Sequence, residues 1–112
     1  MKVYFNNRKL ERACSSKRAA AKAWGAENGK KAIQRLVELR AAEKLSHLSR
    51  VPQMRCHQLK GRRAGQFTVD VKHPFRLIFK PAHDPVPLKP DGGIDWDQVS
   101  AITILSIEDY HG

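Results

Sequence analysis

The spacing of hydrophobic positions changes once along this chain, near Pro52, and divides it into a helical first part and a stranded second part. Lys2-Val3-Tyr4-Phe5 opens it as a short strand. The segment from Asn7 to Leu48 is rich in Ala, Lys, Arg, Glu and Leu and contains no proline, which is helical composition. Ser15-Ser16 is placed to cap a new helix after a short one ending near Cys14, and Gly25 or Asn28-Gly29 to break the next, so three helical pieces are expected. In the last of them Ile33, Leu36, Val37, Leu39 and Ala42 supply an apolar side, with Lys30, Lys31, Gln34, Arg35 and Glu38 mostly outside it.

Beyond Pro52 the period becomes two. Gln66 to Val71 alternates, with Phe67, Val69 and Val71 on one face and Thr68 and Asp70 on the other. Lys72-His73-Pro74 turns the chain, and Phe75-Arg76-Leu77-Ile78-Phe79 returns as the second strand of a hairpin. Ala101 to Ile107 is apolar on both faces, as a strand inside a sheet would be. Ahead of it, 83–100 is a long acidic connection with Pro85, Pro87, Pro90 and Gly92-Gly93, just after Pro81; connections of this length are usually functional or mobile. One strand, a helical block, then three to four antiparallel strands predict a small α+β fold with helices packed on one face of the sheet. A chain of 112 residues, without internal repeats, is expected to form a single domain over 1–112.

Composition narrows the class. Hydrophobic residues make up 41% and charged residues 29%, a globular balance. No stretch approaches the roughly 18 apolar residues of a membrane span. Cys14 and Cys56, without CxxC spacing, read as ordinary thiols of a reducing compartment, so a cytoplasmic location is expected. Charge is more informative: the net value is +10, with +13 over residues 1–65 and −3 over 66–112. A surface this basic favours a polyanion, because each phosphate contacted releases condensed counterions, so nucleic acid or the ribosome leads the list of partners. Solubility or docking on an acidic protein is the plainer reading of the same charge.

Three clusters carry candidate chemistry: Arg55-Cys56-His57-Gln58-Leu59-Lys60, the loop Gly61-Arg62-Arg63-Ala64-Gly65, and the terminal Asp109-Tyr110-His111, with Arg76 on the strand between. Brought together, they would set imidazoles, a phenol, a carboxylate and several cations around one phosphate. Metal-free RNA cleavage needs such groups: a base for the 2′-hydroxyl, cations for the phosphorane, and an acid for the departing 5′-oxygen. Arg55, Arg62 and Arg63 are the further candidates for binding RNA phosphates. Each residue also has a structural reading. His57 can be a packed strand histidine, Arg76 and Asp109 ion-pair members, Arg62-Arg63 a hairpin turn, Tyr110 an edge residue and His111 part of a frayed end. The histidines show no paired ligand spacing and the glycine-rich loops match no nucleotide-binding pattern, so neither a metal nor a cofactor is expected.

Three separated blocks, His57-Gln58-Leu59-Lys60-Gly61-Arg62-Arg63-Ala64-Gly65-Gln66-Phe67, then Phe75-Arg76-Leu77-Ile78-Phe79, then Ile107-Glu108-Asp109-Tyr110-His111, resemble the HigB-type plasmid-maintenance killer toxins of the RelE/ParE superfamily. That pattern is His-x-Leu-Lys-Gly-x-Arg-x-Gly followed by an aromatic strand, an aromatic-Arg-Ile/Leu strand, and a closing Asp-Tyr-His. The match is close over 56–80 and 101–112 and looser over the helical block. The resemblance implies the toxin of a type II toxin–antitoxin system, a ribosome-dependent mRNA endonuclease that inhibits translation and is held inactive by a cognate helix-turn-helix antitoxin. It carries the catalytic set onto His57, Lys60, Arg76, Asp109, Tyr110 and His111, and leaves open which residue gives and which takes the proton. Lys60 and Arg76 would stabilise phosphate charge, Asp109 and His111 would act as or orient the acid and base, and Tyr110 would position or stack on the RNA. The chain departs from compact members in the 83–100 insertion, which resembles a longer branch of the family; shaping substrate access, contacting the antitoxin and being ornament are its open readings, and it leaves open whether ribosome docking is the same. The rivals are a non-catalytic ParE-like toxin that binds DNA gyrase, which needs no paired acid–base groups, and an antitoxin-bound regulatory module.

Overall fold

In the computed structural model, which describes residues 1–109, the helical block and the strands fall where the hydrophobic periods put them. β1 (Lys2–Phe5) leads into α1 (Arg8–Ala13), α2 (Lys17–Trp24) and α3 (Ala26–Ala41). Asn7 caps α1, its Oδ1 accepting from the Leu10 amide at 2.8 Å, and Ser16 caps α2, its Oγ accepting from Ala19 at 3.0 Å. Gly25, at φ 88, separates α2 from α3 in a conformation that disfavours any side chain. Gly29 does not break the helix. It lies inside α3, where a Cβ would stand 2.5 Å from the Ala21 backbone nitrogen, so the two helices touch backbone to backbone.

α3 buries Ala32, Leu36 and Leu39, a seam at i, i+4 and i+7. Two expectations for this helix are corrected. Val37, read as apolar side, is 59% exposed, and Arg35, read as outside, is 4% exposed because i+3 from Ala32 falls on the seam.

Tight 3-10 turns at Leu45–Arg50 and Pro52–Met54 lead to β2 (His57–Gln58), and another at Gly61–Arg63 joins it to β3 (Phe67–Asp70). β4 (Phe75–Pro81) completes the expected hairpin, and β5 (Ala101–Asp109) closes the described chain. The strand order is β1-β5-β4-β3-β2. β5 therefore lies inside the sheet, as its two apolar faces predict, antiparallel to β4 and parallel to β1. The α+β expectation holds, with a mixed five-stranded sheet: the whole helical block separates β1 from the later strands, a connection long enough to allow parallel pairing. Between Ile78↔Ser106 and Phe79↔Ile104 the register slips, leaving Leu105 as an extra residue on β5.

Residues paired across neighbouring strands share a face, which sorts the sheet into two sides. Phe67, Val69, Leu77, Phe79, Ile102, Ile104 and Ile107 line one side, all buried, and join Leu36, Leu39, Leu45, Leu48 and Met54 in the core. The other side carries, from edge to edge, Tyr4 with Lys2, then Thr103, Ser106 and Glu108, then Lys80, Ile78 and Arg76, then Thr68 and Asp70, then His57. Only Thr68 and Ile78 of these are buried.

The 83–100 segment is a packed element. Leu88 and Ile94 pair across a turn at Gly92, and the Trp96 and Phe67 rings meet in a T-shaped contact with centroids 5.0 Å apart. No helix among the described residues is long and apolar enough to cross a membrane.

Candidate functional site

The polar side of the sheet begins at Arg55, whose φ of 49 is left-handed and turns the chain into β2. The turn brings the Arg55 carbonyl 3.0 Å from His57 Nδ1. A carbonyl oxygen only accepts, so Nδ1–H donates in this bond, and in the neutral ring the lone pair is then on Nε2. His57 itself is exposed, and its Cα pairs with Thr68 on β3. Lys60 and Arg62 follow, exposed, in the turn that reverses the chain.

Asp70 ends β3 at the far end of the strand from this turn, near Arg55. Its carboxylate lies 3.6 Å from Arg76 Nε and 3.7 Å from Arg55 Nε, longer than hydrogen bonds but within ion-pair range. Arg55, Asp70, His73, Phe75 and Arg76 line a cavity of about 100 Å³. Among the described residues this lining sets two guanidiniums beside one carboxylate, and a guanidinium is a side chain suited to a phosphate oxygen. The backbone of Asp70 is fixed from beneath: its carbonyl accepts from Arg35 Nε at 2.6 Å, and Arg35 Nη1 donates to Glu38 at 2.7 Å. Buried Arg35 thus couples α3 to the strand end that aims Asp70.

A second pair closes the middle of the face. Arg63 Nη2 donates to Glu108 Oε1 at 2.6 Å, and Ser106 Oγ to Glu108 Oε2 at 2.6 Å, so the β2–β3 turn is clamped to the last strand. Arg76 pairs with Glu108 across β4 and β5 and with Asp70 across β4 and β3. Its position therefore falls in a row with a carboxylate residue on either neighbouring strand. Among the described residues no group of three or more His, Cys, Asp or Glu is arranged to hold a metal ion.

No family model matches the chain. No curated protein matches it. Among solved structures, the YoeB/ParE toxin from Agrobacterium tumefaciens superposes with a TM-score of 0.52 at 13% identity, over 99% of this chain and 100% of that one. The YoeB dimer from Staphylococcus aureus gives 0.50 at 16% identity, over 100% of this chain and 98% of that one. This is the fold of the YoeB/ParE toxins. At such low identity the shared feature is the architecture.

On this YoeB-like sheet the residues singled out from sequence divide. His57 and Arg76 share the polar face, on strands either side of β3, with Arg55 and Lys60 at its margin. Arg63 is engaged with Glu108. Asp109 pairs with Phe75, and by that register it belongs to the opposite side from Arg76 and Glu108. Tyr110 and His111 lie outside the described residues. Sequence reasoning missed Asp70, Glu108 and Arg35 as parts of this site. Asp70 had a signal, a carboxylate on the polar phase of an alternating strand; Glu108 and Arg35 had none, because their partners are 45 and 35 positions away.

Proposed function

We propose that this chain is the toxin of a type II toxin–antitoxin pair, of the HigB type within the RelE/ParE superfamily, and that it cuts messenger RNA on the ribosome. The observation that carries the reading is the polar sheet face of a YoeB/ParE-like fold on which His57, with Nε2 available as acceptor, and Arg76 flank one strand. In the proposed reaction His57 Nε2 takes the proton of a ribose 2′-hydroxyl, and that oxygen forms a bond to the adjacent phosphorus. Arg76, Lys60 and Arg55 stabilise the charge that gathers on the phosphorane oxygens. The P–O5′ bond breaks as the 5′-oxygen receives a proton, leaving a 2′,3′-cyclic phosphate. We assign that proton to His111; by the resemblance Asp109 and His111 act as or orient the acid and base, and Tyr110 positions or stacks on the RNA. Arg62 and Arg63 join the backbone contacts. The cognate helix-turn-helix antitoxin is the proposed protein partner, and the cytoplasm the proposed location.

Primer extension on cellular transcripts after brief induction tests this reading. Wild type is expected to produce cuts inside translated codons, and His57→Ala and His111→Ala to lose them. Growth arrest without transcript cleavage overturns it in favour of a binding target such as gyrase, and the absence of arrest in favour of a regulatory module.

A further inference from the structure

The polar face extends well past His57 and Arg76. At its far edge β1 presents Tyr4, 51% exposed, in one row with Thr103 on β5 and Lys80 on β4. Lys2 stands beside Tyr4 on the same face, and Lys2 and Lys80 are both exposed. A single exposed tyrosine is ordinary. Its company is not: the face's two described carboxylates on β3 and β5, Asp70 and Glu108, sit at the other end and are each engaged by arginine. Among the described residues neither Lys2 nor Lys80 makes an ion pair. Among the described residues this end of the sheet therefore offers an aromatic ring and two cations with no ion-pair partner, on the same sheet face as the candidate site.

We infer that Tyr4, Lys80 and Lys2 form a second RNA subsite, in which Tyr4 stacks on a base and the lysines hold the neighbouring phosphates. The inference rests on the nuclease reading and adds where the messenger runs: from His57 and Arg76 across β4 and β5 to β1. The scale fits. Lys80 lies four residues along β4 from Arg76, about 13 Å, and Tyr4 is two strands from Lys80, about 10 Å. A single strand of a few nucleotides covers that path, and a sheet face bearing an aromatic ring and lysines is a general solution for binding unpaired bases without strong sequence preference. Tyr4 is the one aromatic ring on this face among the described residues, which predicts one stacked base at this end of the sheet.

The test is the protein concentration giving half-maximal cleavage of a messenger on purified programmed ribosomes. Tyr4→Ala is expected to raise it about ten-fold, the usual effect of losing one base stack. Tyr4→Phe keeps the ring and is expected to stay near wild type, which separates stacking from any role of the hydroxyl. Lys80→Ala, on a different strand, is expected to raise the same concentration through the phosphate contact. The inference is overturned if Tyr4→Ala saturates at the wild-type concentration, or if Tyr4→Phe is impaired as severely as Tyr4→Ala. Wild-type protein that leaves the ribosome-bound messenger intact overturns the nuclease reading itself, and this subsite with it.

Discussion

At the level of single residues, the polar face is organised by pairs. His57 donates Nδ1–H to a backbone carbonyl and keeps Nε2, while Arg76 is held near Asp70 and stands opposite Glu108. Arg35 does the supporting work: burying a guanidinium is costly unless its donors are met, and here Asp70 O and Glu38 meet them. Cys14 and Cys56 take no part in this. Burial raises the Cys14 thiol to about 11, opposed by nearby Arg40, and raises Cys56 to about 12. At pH 8 roughly one Cys56 in ten thousand would be thiolate, so iodoacetamide is expected to label neither cysteine until urea unfolds the chain. The sign for stability follows: above pH 9 the unfolded chain loses thiol protons that the folded chain retains, so these groups destabilise the fold as pH rises toward 11. Rapid labelling of the folded protein at pH 8 would refute the assignment.

At the level of elements, the decisive contact is α2 against α3. Gly29 has the look of a helix breaker in the sequence, yet it is retained inside α3 because the Ala20–Ala21 backbone occupies the space of its missing Cβ. Gly29→Ala would normally favour a helix by up to about 1 kcal/mol. Here the added methyl must push two backbones apart, and overpacking of this kind costs about 1–3 kcal/mol, so a net loss of stability is expected in urea denaturation. A gain would mean that the helices separate freely. The 83–100 segment makes the complementary point: its prolines and glycines read as a loop, but Trp96 and Val99 anchor it to the core and Asp95 caps its last turn by accepting from Asp97 N at 3.2 Å.

At the level of the whole molecule, charge and topology act together. Residues 1–65 carry +13, and the fold sets Arg55 of that part with Arg76 of the other around Asp70, with Lys60 and Arg62 exposed in the β2–β3 turn. If these four cations meet phosphates, single-stranded binding falls with salt at a slope near −0.7 per contact, a loss of about fifty-fold between 50 and 200 mM. Fluorescence anisotropy of a labelled oligoribonucleotide reads this directly, and an affinity indifferent to salt would remove the basic face from RNA recognition.

Period, capping and breakers are local properties, and they were legible in the chain: the helix ends at Cys14, Ser16 and Gly25, the hairpin from Phe67 to Phe79, and β5 as an interior strand all follow from neighbouring residues. So were His57, Lys60 and Arg76 as candidates, since their motif is local too. What only the tertiary structure decided were relations between distant residues: β1 running parallel to β5, Gly29 as a contact point, Arg35 turned inward, and Asp70 and Glu108 drawn to the arginines. It also separated Asp109 from Arg76 by face, because one step of strand register reverses the side a residue occupies, and register is set by the partner strand rather than by the residue itself.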